Sequence, residues 1–228
     1  LSKKYIFDDK SFNETLIGIY GTQHFSDHKI GLDYYALDFR SKYRKYNSVS
    51  GKENRQTYGA RLFTNFNLIN FEIEGAYQSG KFGDLKIDAY SALADLNLTL
   101  LPGKKMKIGI AANIASGDKD ERDNKLNTYN LIYAKPAFGM AIPLGNSNLI
   151  SVSPYIKINA VPKFTILTQV FLLSKFSDRD GMYSPAMFGI RPGSKSSDNK
   201  ATNSLGEFFV LETTYQQTQN ISFAIDLS

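Results

Sequence analysis

FEIEGAYQSGKFGDLKIDAYSALADLNLTLLPGKKMKIGIAANIASGDKD, from Phe71 to Asp120, alternates apolar and polar residues over unusually long spans. Phe71, Ile73, Gly75 and Tyr77 oppose Glu72, Glu74, Ala76 and Gln78. Tyr90, Ala92, Ala94, Leu96, Leu98 and Leu100 oppose Ser91, Leu93, Asp95, Asn97 and Thr99. Met106, Ile108, Ile110, Ala112 and Ile114 oppose Lys105, Lys107, Gly109, Ala111 and Asn113. A period of two sustained this long puts one side of each strand against lipid and the other against water. The stretch predicts an antiparallel transmembrane β-barrel.

Working outward, the rest of the chain repeats the pattern. Further strands are expected at residues 13–20, 30–40, 56–66, 149–159, 164–176, 204–215 and 221–227, about ten in all, and no helix. Pro154 predicts a bulge or irregular pairing in its strand. Connections after the odd strands are short and those after the even strands longer. Ser41 to Arg55, Ser79 to Asp84, Ser116 to Asn148 and Ser177 to Asn203 are the even loops, the third holding an apolar patch from Ala137 to Ile142. Outer-membrane barrels sort loop length by parity in this way, with tight periplasmic turns and long extracellular loops; a soluble sandwich has no reason to. The parity also leaves both ends of ten strands on the outside. It predicts a single barrel domain over 1–228 that lacks strands at each end, as part of a larger barrel.

Composition is compatible with this fold. The chain has 228 residues, 42% hydrophobic and 21% charged, and a mean hydropathy of -0.29. A barrel hides from such averages because half of every strand faces a polar lumen. Fourteen Tyr and sixteen Phe supply aromatic girdles, although Trp is absent. With no Cys there is no disulfide or thiolate site. The net charge of +5 suits contact with anionic solutes or lipopolysaccharide and is too small to indicate nucleic acid.

Three motifs resemble the alginate export family of outer-membrane proteins: Glu74 to Asp84 (EGAYQSGKFGD), Ala115 to Asp118 (ASGD), and Asp123 with Thr128 to Leu131 (TYNL). Thr57 to Phe63 (TYGARLF) and Asn203 to Phe209 (NSLGEFF) match more loosely. The resemblance covers most of the chain in the right order. It implies a monomeric, roughly eighteen-stranded barrel, of which this chain is the C-terminal half or slightly more. It also implies a channel that passes an anionic polyuronate through an electropositive constriction. The chain departs from the family where Tyr90 stands for a Trp and Asn97 for a Gly.

The charged residues at inward positions are the candidate filter. Arg61, which matches the Arg of the family's GARL motif, and Lys107 face inward. Lys157 and Lys163 do so toward the periplasmic end, and Arg40 sits at an outer rim. Glu72, Glu74, Asp95, Glu207 and Asp226 are expected to face the same lumen. The alternative role for each is cross-strand pairing that holds the wall. The extracellular loop Ser116, Gly117, Asp118, Asp120, Asp123 and Thr128 is expected to fold over the pore mouth, with Gly117 supplying a positive-φ turn. Asp118, Asp120 and Asp123 are also candidate calcium ligands, though the spacing is not an EF-hand. His24 and His28 fall in an expected turn, and no nucleophile elbow or phosphate loop is present, so an enzyme is not expected. The sequence therefore reads as an outer-membrane channel for anionic saccharides or small anionic solutes. The alternatives are a general or organic-acid porin, or a structural barrel among cell-envelope partners.

Overall fold

The computed structural model describes residues 13–27, 29–101, 106–132, 144–161, 163–194, 203–219 and 221–227. The described residues contain strands and no helix. Ten long strands form one antiparallel meander: β1 (Glu14–Phe25), β2 (Ile30–Tyr46), β3 (Val49–Thr64), β4 (Ile69–Phe82), β5 (Leu85–Leu101), β6 (Met106–Ala115), β8 (Leu149–Val161), β9 (Phe164–Lys175), β12 (Ser204–Gln216) and β13 (Ser222–Leu227). Three short strands lie in the loops: β7 (Lys125–Leu126) pairs parallel with β5, and β10 (Met182–Tyr183) pairs with β11 (Gly189–Arg191). The sheet is open, with β1 and β13 at its edges; among the described residues neither pairs on its second side.

Register divides the sheet into two chemically different faces. One unbroken row of partners runs Thr22, Asp33, Arg61, Glu74, Leu93, Asn113, Ser151, Leu173. The residues beside this row in sequence point the opposite way. That opposite face carries Ile17, Ile19, Leu62, Ile73, Leu96, Ile110, Ile156, Phe209 and Ile225, all large, apolar and exposed. A soluble sheet would bury such a surface; hydrocarbon is the solvent it fits. Tyr58, Tyr77 and Tyr90 are direct cross-strand partners at one border of the apolar band. Phe164, Tyr215 and Phe223 are partners at the other. From Tyr90 to Leu100, at about 3.3 Å per residue and a tilt of about 45°, the band spans about 23 Å.

Beyond the tyrosine border the outer face turns polar, with Asp38, Arg40, Asn54, Gln56, Lys81, Lys86 and Asp88. The strands nevertheless continue, which corrects two expected loops. Ser41 to Arg55 is the extension of β2 and β3 around a two-residue turn at Asn47 and Ser48, with a register shift between Ser41 and Arg44. Asn47 takes the left-handed conformation (φ 48°) that asparagine tolerates. Ser79 to Asp84 likewise reduces to a turn at Gly83 and Asp84. Away from lipid neither face needs to be apolar, so the alternation that marks a membrane strand is lost.

Two smaller expectations also change, and the irregular pairing expected at Pro154 is found. β1 runs on through His24, which pairs with Gly31 and lies edge-on to Phe63, so His24 is on a strand rather than in a turn. Glu207 pairs with Leu172 and shares the outer face with Phe209 and Leu211. At Pro154 the β8–β9 ladder lapses between Val152 and Tyr155 without any change of register. His28 and the patch from Ala137 to Ile142 lie outside the described residues.

The face assignment predicts a sharp asymmetry between adjacent positions. Leu96→Lys, in the middle of the apolar band, should cost about 2–4 kcal/mol of folding free energy in liposomes. Asn97→Lys, one residue on and facing inward, should cost less than about 1 kcal/mol. Denaturant titration of the two variants checks this, and equal losses would contradict the assignment.

Candidate functional site

The described parts of the two long loops, 116–132 with 144–148 and 177–194, fold back onto the inner face and dock against the extended ends of β2 to β5. Their apolar contact is a cluster of Tyr46, Phe82, Ile87, Ala89, Leu126, Tyr183 and Met187. Tyr46 meets Phe82 edge-on at 5.1 Å between ring centroids and Tyr183 at 6.0 Å. Burying these rings holds the loops down in the absence of extensive strand pairing.

Under this cluster lies Arg55, fully buried and ion-paired with Glu53. Arg55 also donates to Gln78 Oε1 at 2.7 Å and to the Thr128 carbonyl at 3.1 Å. Tyr46 donates its hydroxyl to Glu53 at 2.9 Å. Gln78 clasps the loop backbone: its amide donates to the Asn130 carbonyl at 2.8 Å, and its oxygen accepts the Asn130 amide at 2.9 Å. A buried ion pair is tolerable only when its remaining polar atoms are satisfied, and the loop supplies the missing partners. Arg55 and Gln78 are inward by parity, but nothing in local sequence shows that a segment fifty residues on will complete them.

Asp180 is the second lock. Its carboxylate accepts four hydrogen bonds: from the Asp118 amide (2.8 Å), the Thr128 hydroxyl (2.6 Å), its neighbour Gly181 (2.7 Å) and the Tyr183 hydroxyl (2.6 Å). It thereby ties the 116–132 segment to the 176–194 segment. Ser116 extends the tie to the sheet, accepting from the Tyr90 amide at 2.9 Å and donating to the Asn127 carbonyl at 2.7 Å. Gly117 does not have positive φ. A Cβ there would collide with Asn148, whose side-chain amide donates to the Ser177 and Gly181 carbonyls. The small residue is needed for close approach.

The other sequence-marked positions are distributed around this assembly. Asp120 and Asp123 are exposed and accept the amides of Arg122 and Lys125, two residues ahead, as local turn caps. Among the described residues no group of three His, Asp or Glu side chains is arranged to hold a metal ion. Arg61 forks onto Glu72 at 2.8 and 2.9 Å and reaches Asp33 at 3.1 Å, so its charge is compensated. Glu74 accepts the Tyr35 hydroxyl at 2.6 Å. Asp95 accepts from Asn97 and Tyr155 at 3.0 Å each. Arg40 is on the outer face with Asp38 at 2.7 Å, above the tyrosine border, and so does not line the channel wall. Lys163 sits in the β8–β9 turn and donates to the Gln217 carbonyl. Lys107 and Lys157 are direct cross-strand partners on the inner face near the short-turn end, and neither makes an ion pair among the described residues.

An antiparallel sheet with a lipid-type face, aromatic borders, a polar inner wall and loops docked over one end fits part of the wall of an outer-membrane β-barrel. A model of the alginate export family matches residues 2–228. The chain belongs to that family. It is therefore an all-β, transmembrane barrel protein of a family that exports polysaccharide across the outer membrane. No curated protein matches it.

The loop locks give the site a pH dependence. Burial pushes the Asp118 carboxyl up to about 6; the Asp120 amide opposes this, and the charges of Asp180, Asp123 and Glu121 add to it. Burial also raises Asp180, against the pull of its four donors. An acid raised in the docked state takes up a proton on docking, so docking is strongest below the undocked value near about 4 and weakens as pH rises through about 6. Amide exchange at residues 116–132, corrected for intrinsic rate, should therefore be slower at pH 5 than at pH 7.5. Asp118→Asn should flatten that difference.

Proposed function

We propose that this protein is a bacterial outer-membrane channel that passes saccharide chains or related hydroxyl-rich solutes, with anionic ones gathered at its short-turn end by Lys107 and Lys157. The carrying observation is that opposed lysine pair. Like charges placed directly across a strand pair destabilise it, and the flanking partners Thr99 and Leu167 carry no charge, which favours a ligand role over a wall-building one. Arg61, by contrast, is spent on Asp33 and Glu72, which favours cross-strand structure for that residue. The inner-wall carboxylates Glu74 and Asp95, and Glu212 and Asp226 further along the row of the lysine pair, have no ion-pair partner among the described residues. They limit how tightly an anion is held further along, which a conducting path requires.

The outward lysines support placement in the outer membrane. Lys81 and Lys86 face outward as direct partners above the tyrosine border, where the phosphates of lipopolysaccharide would lie. A structural barrel with an occluded lumen is the competing reading, favoured by the docked loops over Arg55 and Gln78.

Planar-bilayer recordings of the protein under a salt gradient test the proposal. The wild type should conduct with anion preference, and Lys107→Glu combined with Lys157→Glu should lower the anion-to-cation permeability ratio several-fold. Unchanged selectivity would remove the pair from the filter, and absence of conductance would favour the occluded barrel.

A further inference from the structure

A cavity of about 440 Å³ lies beneath the docked loops. Its floor is the inner face of β1 to β6, and its roof is Tyr129 to Ile132 with Asn146. The volume falls in the range of small-molecule sites, about 300–1,000 Å³. The cavity is separate from the lysine pair, and no Lys or Arg lines it.

Two features of its lining call for a ligand. The amide nitrogen of Asn113, on the floor, and the amide oxygen of Asn146, on the roof, are buried without a hydrogen-bond partner among the described residues. Buried polar groups are nearly always satisfied, and leaving one open is costly. Here one open group is a donor and the other an acceptor, on opposite walls. A hydroxyl can answer both, because it donates and accepts. The second feature is aromatic. Tyr35 is stacked on Tyr20 with centroids 6.1 Å apart and planes within 6°, its hydroxyl fixed on Glu74. Gly59 makes room for the Tyr35 ring, since a Cβ there would collide with it. Ile132 in the roof holds a positive φ of 36°, a conformation that a β-branched residue adopts only when its surroundings impose it.

The geometry points to a binding site for an uncharged sugar ring, held by Asn113 and Asn146 through hydroxyls and faced by tyrosine rings. Glu74 is the charged group of the lining, and it repels a uronate carboxylate while accepting a hydroxyl. This inference rests on the channel reading and deepens it: the path that gathers anions at one end holds a neutral ring at the other.

Calorimetric titration of the detergent-solubilised protein with maltotriose, and separately with trigalacturonate, tests the site. Maltotriose should bind, and trigalacturonate should bind at least about ten-fold more weakly. Asn113→Ala and Asn146→Ala should each weaken maltotriose about five- to ten-fold, and Glu74→Gln should narrow the gap between the two sugars. Asn146 is on a loop, so its variant keeps the test valid if Asn113→Ala does not fold. Failure of maltotriose to bind, tighter binding of trigalacturonate, or unchanged affinity in both asparagine variants would overturn the proposal. Binding heat needs no conductance: conduction without maltotriose binding sinks this site alone, and binding without conduction sinks the channel reading alone.

Discussion

Backbone amides and carbonyls that cross hydrocarbon have no water to bond with, and every one left open costs several kcal/mol. That constraint shapes the rest of the molecule. It forces the membrane-crossing residues into laddered strands, and the pleat then divides their side chains between lipid and lumen. Rows such as Ile73–Ala94–Ala112 follow on the outer face and Arg61–Glu74–Leu93–Asn113 on the inner one. Tyr58, Tyr77 and Tyr90 mark where hydrocarbon ends because a phenol ring has one end for each solvent.

Once the strands rise above that border, a different physics takes over. Cohesion there comes from burial of Tyr46, Phe82, Tyr183 and Met187 and from two buried charge centres, Arg55–Glu53 and Asp180. Both centres are completed by backbone groups of the loops, so the loops dock in one arrangement or leave buried charges open. The cavity under Tyr129 to Ile132 exists because this docking is fixed. Its polarity is set by the same inner wall that faces water.

What the sequence discloses follows this division. β5 and β6 are legible to the residue because lipid imposes strict alternation on one side. Ser41 to Arg55 is equally regular in structure but reads as loop, since water covers its outer face and docked loops its inner one, and Ser, Lys and Asn are all permitted. Inward parity identified Arg61, Lys107 and Lys157 correctly as inner-face residues. It could not show that Arg61 is matched by Glu72 and Asp33 while the two lysines oppose each other, because pairing register across separate strands is not a local property. Arg55, Gln78 and Asp180 escaped notice for a related reason: their partners are brought by loops from 50 or more residues away in sequence.

The two-faced sheet is the claim on which the rest depends, and the absence of cysteine from the chain makes it directly measurable. Single cysteines placed in turn at positions 94 to 99 of β5, with the protein in liposomes, can be challenged with a charged, membrane-impermeant thiol reagent. Asp95→Cys, Asn97→Cys and Thr99→Cys should be modified, and Ala94→Cys, Leu96→Cys and Leu98→Cys protected. Labelling that ignores parity would contradict the two-faced sheet.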